Sequence, residues 1–264
     1  MKNVKGKISV IMPAFNEAGH IGYSIEETVK TFNDFGCQWE LIVIDDGSSD
    51  NTFEIAEQSS FKYPEQVTVK KNPYNLGKGR AIKKAVHYIT GDYVVFLDAD
   101  MDLHPVQVQT LFDIMRLDYA DIVIGSKLHP NSVVNYPFER RIVSFVYYLF
   151  VRILFNLPCH DTQTGLKLFK IEVVRKVFPR ILVRRFAYDL EVLANAHHLG
   201  YRIAEAPIVL SPKRKYGRIG TFAVISTLID TLAVFYRMHI LKYYDNIDYY
   251  RRKGLAKEFR RMRK

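Results

Sequence analysis

Short apolar runs alternate with amphipathic segments through the first half of the chain. Each run holds four to six residues, is rich in β-forming side chains and is bounded by polar or glycine positions, which is typical of buried strands. The predicted strands are Lys7 to Met12, Trp39 to Ile44, Gln66 to Lys70, Tyr93 to Leu97 and Ile122 to Gly125. Because the segments between the first four runs read as helices, the pattern predicts a parallel, doubly wound α/β sheet.

Polar residues mark the starts of two predicted helices. Asn16 is a good N-cap residue for a helix over Glu17 to Phe35, and Asp50 or Asn51 can cap the next helix. After about residue 128 the pattern changes to longer aromatic and basic helices, without a linker rich in Gly, Ser or Pro. The sequence therefore predicts one continuous domain with a distinct C-terminal part.

Two longer apolar stretches, Ile142 to Leu157 and Ile219 to Leu241, approach the length of a membrane span. Arg152 interrupts the first, and Asp230 and Arg237 interrupt the second. A charge deep in a bilayer costs about 2.5 kcal/mol or more, so we expect neither stretch to cross a membrane. The second has an apolar stripe that suits a helix lying on a membrane or packed on the core. The stripe consists of Phe222, Ile225, Ile229, Leu232, Phe235 and Met238.

Positive charge is concentrated at the end of the chain. The 264 residues carry a net charge of +10, and residues 251–264 hold eight Lys or Arg against one Glu. Such a block is typical of a disordered tail, a nucleic-acid contact or attraction to anionic lipid. Four tyrosines precede it in a pattern that suits a lipid head-group belt, so we expect an anionic membrane surface as partner and no nucleic acid. These are Tyr243, Tyr244, Tyr249 and Tyr250.

Cysteine usage and the N-terminus indicate a reducing compartment. Cys37 and Cys159 lie far apart without metal-ligand spacing, and MKNVKGKISV lacks the apolar segment of a secretory signal. We therefore expect a peripheral protein at the cytoplasmic face of a membrane.

A cluster of carboxylates follows the fourth predicted strand. Asp98, Asp100 and Asp102 stand at alternate positions, so they should emerge together at the edge where open α/β sheets bind ligands, while Ala99 keeps the turn small. Carboxylate oxygens are ligands that hard divalent cations prefer. The spacing alone is more often that of a solvated loop, and it is the surrounding sequence that favours a Mg²⁺ or Mn²⁺ site between these carboxylates and a diphosphate.

Three further polar motifs end the first three predicted strands: PAFNE at 13–17, DDGS at 45–48 and NLGKG at 75–79. Each alone is more often a turn. Together with the aspartate cluster they favour a nucleotide site, because carboxylates can accept hydrogen bonds from a base and ribose. Lys78 and the backbone N–H groups around it can bind phosphates.

Seven motifs, in this order, resemble those of family 2 glycosyltransferases of GT-A fold over roughly residues 7–212. They are ISVIMPAFNE, LIVIDDGSSDNT, NLGKGRAI, GDYVVFLDAD, VIGSK, DTQTGLKLF and FAYDLEVL. Within that family the likeness is to polyprenyl-phosphate hexosyltransferases of the dolichol-phosphate mannose synthase and dolichyl-phosphate glucosyltransferase type. The resemblance implies a Rossmann-like, mostly parallel sheet flanked by helices in a catalytic domain, residues 1–212. A basic flap, an amphipathic membrane-facing helix and a cationic tail should follow in residues 213–264.

The resemblance also implies roles at the donor site. Asp46 would read the base, and Asp100 would bind the metal. Asp102 stands where many mannose synthases of this type have Gln. The implied nucleotide-site residues are Pro13, Phe15, Glu17, Asp45, Asp46, Lys78, Asp98 and Ala99. A basic flap, or alternatively a solvated basic loop, contains Lys213, Arg214 and Arg218.

The acceptor decides whether a general base is needed. A phosphate monoester is largely a dianion at neutral pH and needs cations more than a base, whereas a hydroxyl acceptor needs a base. The resemblance aligns Lys127 with one acceptor-phosphate arginine and either Arg140 or Arg141 with a second. Asp161 and Asp189 are candidates for orienting the acceptor or sugar, for the base, or for capping and ion pairing alone.

These observations predict an inverting transferase that moves a hexose from a nucleotide sugar to a polyprenyl or dolichyl phosphate. DTQTGLKLF and FAYDLE are closer to the glucosyl branch, so UDP-glucose is the first expected donor and GDP-mannose the second. The alternatives are a polysaccharide or small soluble acceptor, or a membrane- or nucleic-acid-binding protein with a vestigial nucleotide site. A membrane-protein partner and a homo-oligomer are both compatible with the sequence.

Overall fold

A seven-stranded sheet forms the centre of the protein in a computed structural model. The structure describes residues 4–135, 138–184, 187–212 and 221–247, with only the backbone described for 138–140 and 221–223. The sheet order is β3-β2-β1-β4-β7-β5-β8, and β7 runs antiparallel to both of its neighbours. Its strands are β1 (Ile8–Ala14), β2 (Trp39–Asp45), β3 (Val67–Lys71), β4 (Tyr93–Phe96), β5 (Ile122–Ser126), β7 (Lys167–Lys170) and β8 (Ile203–Pro207).

All the predicted strands form, and the mostly parallel sheet is confirmed. The chain places β2 and β3 on one side of β1 and returns to place β4 on the other, so the strand order reverses at β1. Such a reversal opens a crevice at the carboxyl ends of the strands. A second small sheet pairs β6 (Val133–Val134) with β9 (Val209–Leu210).

Helices cover both faces of the large sheet. They are α1 (Ile21–Phe35), α2 (Thr52–Lys62), α3 (Lys78–Ala85), α4 (Val108–Leu117), α5 (Phe138–Phe155), α6 (Ile171–Val177), α7 (Tyr188–His198) and α8 (Thr221–Phe235), which continues into a π-helical turn over Tyr236–Ile240. Because side chains alternate along a strand, Val10 and Met12 of β1 enter one apolar core and Ile11 enters the other.

Helix α1 begins later than predicted, and Asn16 does not cap it. His20 occupies the N-cap position, while Asn16 has a φ of 55° and its Oδ1 accepts a hydrogen bond from the Ser49 N–H at 2.9 Å. Asn16 therefore joins the first two strand-end loops. Before α2, Asn51 occupies the N-cap position without a side-chain capping hydrogen bond, and Oδ1 of Asp50 accepts a hydrogen bond from the Thr52 N–H at 3.1 Å.

The predicted stripe on α8 divides between two environments. Ile225 and Ile229 are each 56% exposed, whereas Met238 packs in the core and the Phe222 side chain lies outside the described residues. The charged residues that interrupt the apolar stretch, Asp230 and Arg237, are buried against the protein. None of the helices in the described ranges has the length and apolar character needed to span a bilayer.

The predicted tyrosine belt is wrong for two of its four members. Tyr243 and Tyr244 are each 1% exposed and belong to the core, because the chain turns back onto α7 after the π-helical turn. Tyr249 and Tyr250 lie outside the described residues, as does the cationic block 251–264.

Candidate active site

A cleft of about 530 Å³ lies at the carboxyl ends of β1, β2 and β4. It is where the reversal of strand order predicts a ligand site. Residues from all four strand-end motifs line it, so the structure brings these motifs together. The lining residues are Pro13, Ala14, Phe15, Glu17, Asp46, Asn75, Gly77, Lys78, Ala81, Asp98, Ala99 and Asp100.

Asp46 holds the loop before α3 against the end of β2. Its Oδ1 accepts hydrogen bonds from Asn72 Nδ2 at 2.7 Å and from the Leu76 N–H at 3.1 Å, and its Oδ2 accepts one from the Gly77 N–H at 2.7 Å. The carboxylate is 3% exposed. Asp46 therefore organises the loop that begins α3 as well as lining the cleft.

Asp45 lies behind the cleft and does not line it. Its side chain is fully buried, and Oδ1 accepts a hydrogen bond from the Ser48 N–H at 3.1 Å. Lys71 Nζ lies 3.9 Å from Oδ2. These contacts favour a role in shaping the loop after β2 over direct contact with a nucleotide.

The ammonium of Lys78 lies against Asp98. Helix α3 begins at Lys78, and Nζ lies 2.5 Å from Oδ1 of Asp98. Burial acts to raise the pKa of Asp98, but Lys78, Lys167 and Lys127 hold it below its usual range. Burial acts to lower the pKa of Lys78, but the nearby carboxylates, led by Asp98, raise it. Both groups therefore stay charged and fix each other in the cleft.

Asp100 carries negative charge that a cation would stabilise. Burial, and then the charge of Asp98, raise the pKa of Asp100 to about 6. The chemistry of this carboxylate therefore fits a divalent cation. Among the residues that the structure describes, no group of three or more His, Cys, Asp or Glu is placed to hold a metal ion. Because Asp98 faces Lys78, the predicted set of Asp98, Asp100 and Asp102 is not assembled as three metal ligands.

Both oxygens of Asp161 accept hydrogen bonds, from Lys127 and from residues of its own loop, 156–166, which is called the Asp161 loop below. Oδ2 accepts hydrogen bonds from the Lys127 N–H at 3.0 Å and Thr164 Oγ1 at 2.6 Å, and Oδ1 accepts one from the Gln163 N–H at 3.0 Å. Lys127 Nζ lies 3.4 Å from Oδ2. Burial acts to raise the pKa of Asp161, but Lys127 and these hydrogen bonds lower it. This environment favours the predicted orienting role over that of a general base.

A small cavity of about 40 Å³ lies between helix α5 and the Asp161 loop. Lys127 lines it together with α5 residues such as Ser144 and Tyr147. Arg141 is not among the lining residues, because its side chain is exposed and donates a hydrogen bond to the Val134 carbonyl at 2.8 Å. The Arg140 side chain lies outside the described residues. The structure therefore brings Lys127, but not Arg141, to this cavity.

The structure adds two residues that the sequence patterns did not indicate. Lys167 is 1% exposed, and its Nζ lies 2.6 Å from Oδ1 of Asp189, so Asp189 is held in a buried ion pair. A Cβ at Gly165 would lie 2.1 Å from Oδ2 of Asp98. Gly165 and Lys167 both lie in the DTQTGLKLF motif after Asp161, and this motif is the feature of the sequence that could have indicated them. The Asp161 loop therefore packs directly against the carboxylate of Asp98.

Comparison with known proteins assigns the chain to a family. Residues 9–178 match the family model described as glycosyl transferase family 2. The chain belongs to this family. The match includes β1 to β5 and β7, and with them every strand-end motif and the Asp161 loop.

Relatives of this family 2 glycosyltransferase are similar over most of its length. It is 33% identical over 213 residues to a dolichyl-phosphate beta-glucosyltransferase of Dictyostelium discoideum, covering 76% of this chain and 65% of that protein. It is 30% identical over 220 residues to a protein of the same name from Saccharomyces cerevisiae, covering 76% of this chain and 66% of that protein. The chain thus spans slightly less than two thirds of each relative's length.

A solved structure shares the fold of this family 2 glycosyltransferase. The glucosyl-3-phosphoglycerate synthase of Mycobacterium tuberculosis, in complex with Mn²⁺, uridine-diphosphate and phosphoglyceric acid, matches with a TM-score of 0.65 at 22% identity. The match covers 87% of this chain and 77% of that chain. At this identity the likeness shows the fold alone, and it confirms the predicted GT-A architecture.

The remaining predicted site residues lie in or beside parts that the structure does not describe. Lys213, Arg214 and Arg218 of the basic flap are outside the described residues. The basic flap therefore stays a prediction, and so does the domain boundary at residue 212.

Proposed function

We propose that this family 2 glycosyltransferase transfers a hexose, with inversion, from a nucleoside diphosphate sugar to a polyprenyl phosphate such as dolichyl phosphate. The observation that carries the proposal is the arrangement around α5. On one side this helix lines the cavity that contains Lys127, and on the other it exposes an apolar stripe. A phosphate on a long isoprenoid chain needs a cation and an apolar surface close together. The names of the two eukaryotic relatives support the same acceptor.

The donor side of the proposal rests on the cleft at the carboxyl ends of the strands. UDP-glucose is the first candidate and GDP-mannose the second, and the names of the two beta-glucosyltransferase relatives support a glucosyl donor. Asp100 would hold Mg²⁺ or Mn²⁺, with donor phosphate oxygens completing the ligands. When bound, such an ion offsets the charge that develops on a pyrophosphate leaving group. Lys78 is placed to stabilise the same charge.

The acceptor side needs no general base in this proposal. A phosphate monoester with a second pKa near 6 is already a nucleophilic dianion at neutral pH. Lys127 is held by Asp161 through both its backbone N–H and its ammonium, so its position is fixed before the acceptor binds. Transfer from a panel of labelled nucleotide sugars to a short polyprenyl phosphate tests the whole proposal. Transfer only to soluble hydroxyl acceptors would contradict it.

We expect Lys127→Ala to raise the KM for polyprenyl phosphate by about tenfold or more, because a hydrogen bond to a charged group contributes about 1.5–3 kcal/mol. The KM for the nucleotide sugar should stay within about twofold. Steady-state kinetics with each substrate varied in turn measures both. Arg141→Ala tests the second predicted cation in the same assay. Lys62→Ala, which removes a surface lysine paired with Glu26, is the matched control. An equal rise in the KM for the nucleotide sugar would contradict this role and assign Lys127 to the donor site.

We also propose that the protein lies on the cytoplasmic face of a membrane through the outer apolar face of α5 and α8. The side chains of this face are each at least 36% exposed. They are Ile142, Val143, Phe145, Val146, Leu149 and Ile153 on α5, and Ile225, Leu228, Ile229 and Leu232 on α8. The two helices contact each other on their inner sides, where Tyr147 Oη lies 3.1 Å from Thr231 Oγ1. A contiguous apolar surface of this kind, followed by a cationic tail, suits a membrane surface with anionic lipids.

Ile153→Asp should weaken membrane binding. Ile153 is 82% exposed, so the change removes an apolar side chain from the outer apolar face without disturbing the core. Burial of such a side chain contributes about 1.5–3 kcal/mol, so the partition coefficient should fall by about tenfold or more. Flotation with vesicles that contain anionic lipid measures it. Leu117→Asp, at a 76% exposed position on α4, is the matched control. Equal flotation of both variants and the parent would contradict this orientation.

A further inference from the structure

Glu191 on α7 is a buried carboxylate with donors on both oxygens. It is fully buried, and Oε2 accepts hydrogen bonds from the N–H groups of Leu182 at 2.9 Å and Val183 at 2.7 Å. Oε1 accepts one from Arg237 Nη2 at 3.1 Å and another from the Tyr244 hydroxyl. One side chain therefore connects the segment before α7 with the turn that follows α8. The proposed reaction assigns it no role.

The first of these partners supports the donor site. In the segment that contains Leu182 and Val183, the Ile181 carbonyl accepts a hydrogen bond from Lys83 Nζ at 2.8 Å. The Arg184 carbonyl accepts one from the Gly79 N–H at 2.9 Å. A Cβ at Gly79 would lie 3.0 Å from the Val183 carbonyl oxygen, so α3 and this segment are in close contact. The start of α3, where Lys78 meets Asp98, therefore rests on the segment that Glu191 holds.

The second set of partners belongs to the C-terminal elements. Arg237 lies in the π-helical turn directly after α8, and its Nε lies 3.1 Å from the Tyr244 hydroxyl. The Tyr244 carbonyl accepts a hydrogen bond from Arg180 Nη1 at 2.7 Å. Burial, and then Glu191, raise the pKa of Tyr244 well above its usual value, so its hydroxyl keeps the proton that it donates. The packing of α8 is thereby linked to Glu191 through charged and protonated groups.

We infer that Glu191 is a positioning residue for transfer, which fixes Lys78 through residues 181–184 and links the donor site to the packing of α8. The inference rests on the proposed function. Lys78 must meet the donor phosphates in the correct geometry to stabilise the leaving group, since a misplacement of about 1 Å can cost 10²-fold in rate. The Glu191 carboxylate accepts hydrogen bonds from two backbone N–H groups and from the side chains of Arg237 and Tyr244. These four hydrogen bonds hold residues 181–184 in a single position. The C-terminal elements therefore form part of the donor-site scaffold.

The binding of UDP to the full chain in the presence of Mn²⁺, measured by calorimetry with GDP in parallel, tests this role. Glu191→Gln keeps the side-chain volume, but its NH₂ group must face hydrogen-bond donors. These are either the N–H groups of Leu182 and Val183 or the side chains of Arg237 and Tyr244. Tyr244→Phe removes a single hydroxyl and is the milder change. Each should raise the Kd for the nucleotide by about fivefold. Asp245→Asn, on the same turn, removes only an exposed contact with His198 and should leave the Kd unchanged.

A double-mutant cycle separates positioning from loss of stability. If Tyr244 acts through Lys78, Tyr244→Phe should change the Kd by less than about 1.5-fold in a Lys78→Met background. A purely structural role would lower the Tm of Tyr244→Phe and leave its Kd at the parental value, which would overturn the inference. The same fold-change in both backgrounds would also overturn it. Failure of the parent to bind either nucleotide would overturn the proposed function and this inference with it.

Discussion

Asp100→Ala should reduce turnover by at least about a hundredfold while the protein stays folded. Removal of one group that stabilises transition-state charge costs about 10²–10³-fold in kcat, and Asp100 is the cleft carboxylate that best fits a divalent ion. Its charged form is disfavoured by burial and by Asp98, so a bound cation has a strong effect there. Initial rates of transfer to polyprenyl phosphate measure the loss. Asp118→Ala, at an exposed position after α4, is the matched control and should keep full activity.

Removal of the metal tests the role of Asp100 in a second way. Activity of the parent should disappear in EDTA and return when Mg²⁺ or Mn²⁺ is added in excess. The Asp100→Ala variant should not recover at cation concentrations that restore the parent. Full activity of the parent in EDTA would contradict a metal-assisted leaving group, and recovery of Asp100→Ala would assign the metal to other oxygens.

Four of the strands could be predicted because most side chains on both of their faces are buried: β1, β2, β4 and β5. A run such as LIVID in β2 is apolar at successive positions and ends in polar turn residues, so local sequence decides its structure. β7 and β8 lack this signal. The sequence of β7 is KLFK, whose first lysine is buried with Asp189 and the Thr164 carbonyl as partners, and β8 is IAEAP, which is poor in β-forming residues. Tertiary contacts determine both of these strands.

The site residues also divide into those that local sequence predicts and those that tertiary contacts determine. The strand-end motifs could be placed together because the carboxyl ends of parallel strands meet at one edge of a sheet. The ion pair between Lys167 and Asp189 joins residues 22 positions apart, and Glu191 meets Tyr244 across 53 positions. No local spacing predicts such partners. For that reason the sequence patterns assigned Tyr244 to a lipid belt, whereas the structure buries it against Glu191.

The charged residues in and directly after α8 show that a sequence pattern does not reveal which side of a helix a side chain faces. Asp230 and Arg237 interrupt the apolar stretch in sequence, yet both point into the protein. The exposed side therefore has a longer uninterrupted apolar surface than the sequence indicated. This arrangement suits a helix that packs on a core through polar contacts and lies on a membrane through apolar ones.

Gly165→Ala should lower kcat/KM by about a hundredfold, because displacement of a catalytic group by about 1 Å can cost 10²-fold. The φ of Gly165 is not in the left-handed region, so the backbone accepts alanine. The new methyl group would, however, lie 2.1 Å from Oδ2 and 2.5 Å from Cγ of Asp98. Asp98 must then move away from Lys78, or the Asp161 loop must shift. A movement of Asp98 breaks its 2.5 Å ion pair with Lys78, and a shift of the loop displaces the residues that pack against Asp98.

Thermal unfolding measured beside the kinetics distinguishes this displacement from a loss of fold. Overpacking at one position costs about 1–3 kcal/mol, so the Gly165→Ala protein should still unfold cooperatively at a reduced Tm. Gly19→Ala is the matched control, since a Cβ there would meet nothing within 4 Å and should leave both Tm and kcat/KM unchanged. Parental kcat/KM for Gly165→Ala would mean that transfer does not depend on the position of Asp98. The expected result, a hundredfold loss with a cooperative unfolding transition, would place the Asp161 loop among the elements that fix the donor site.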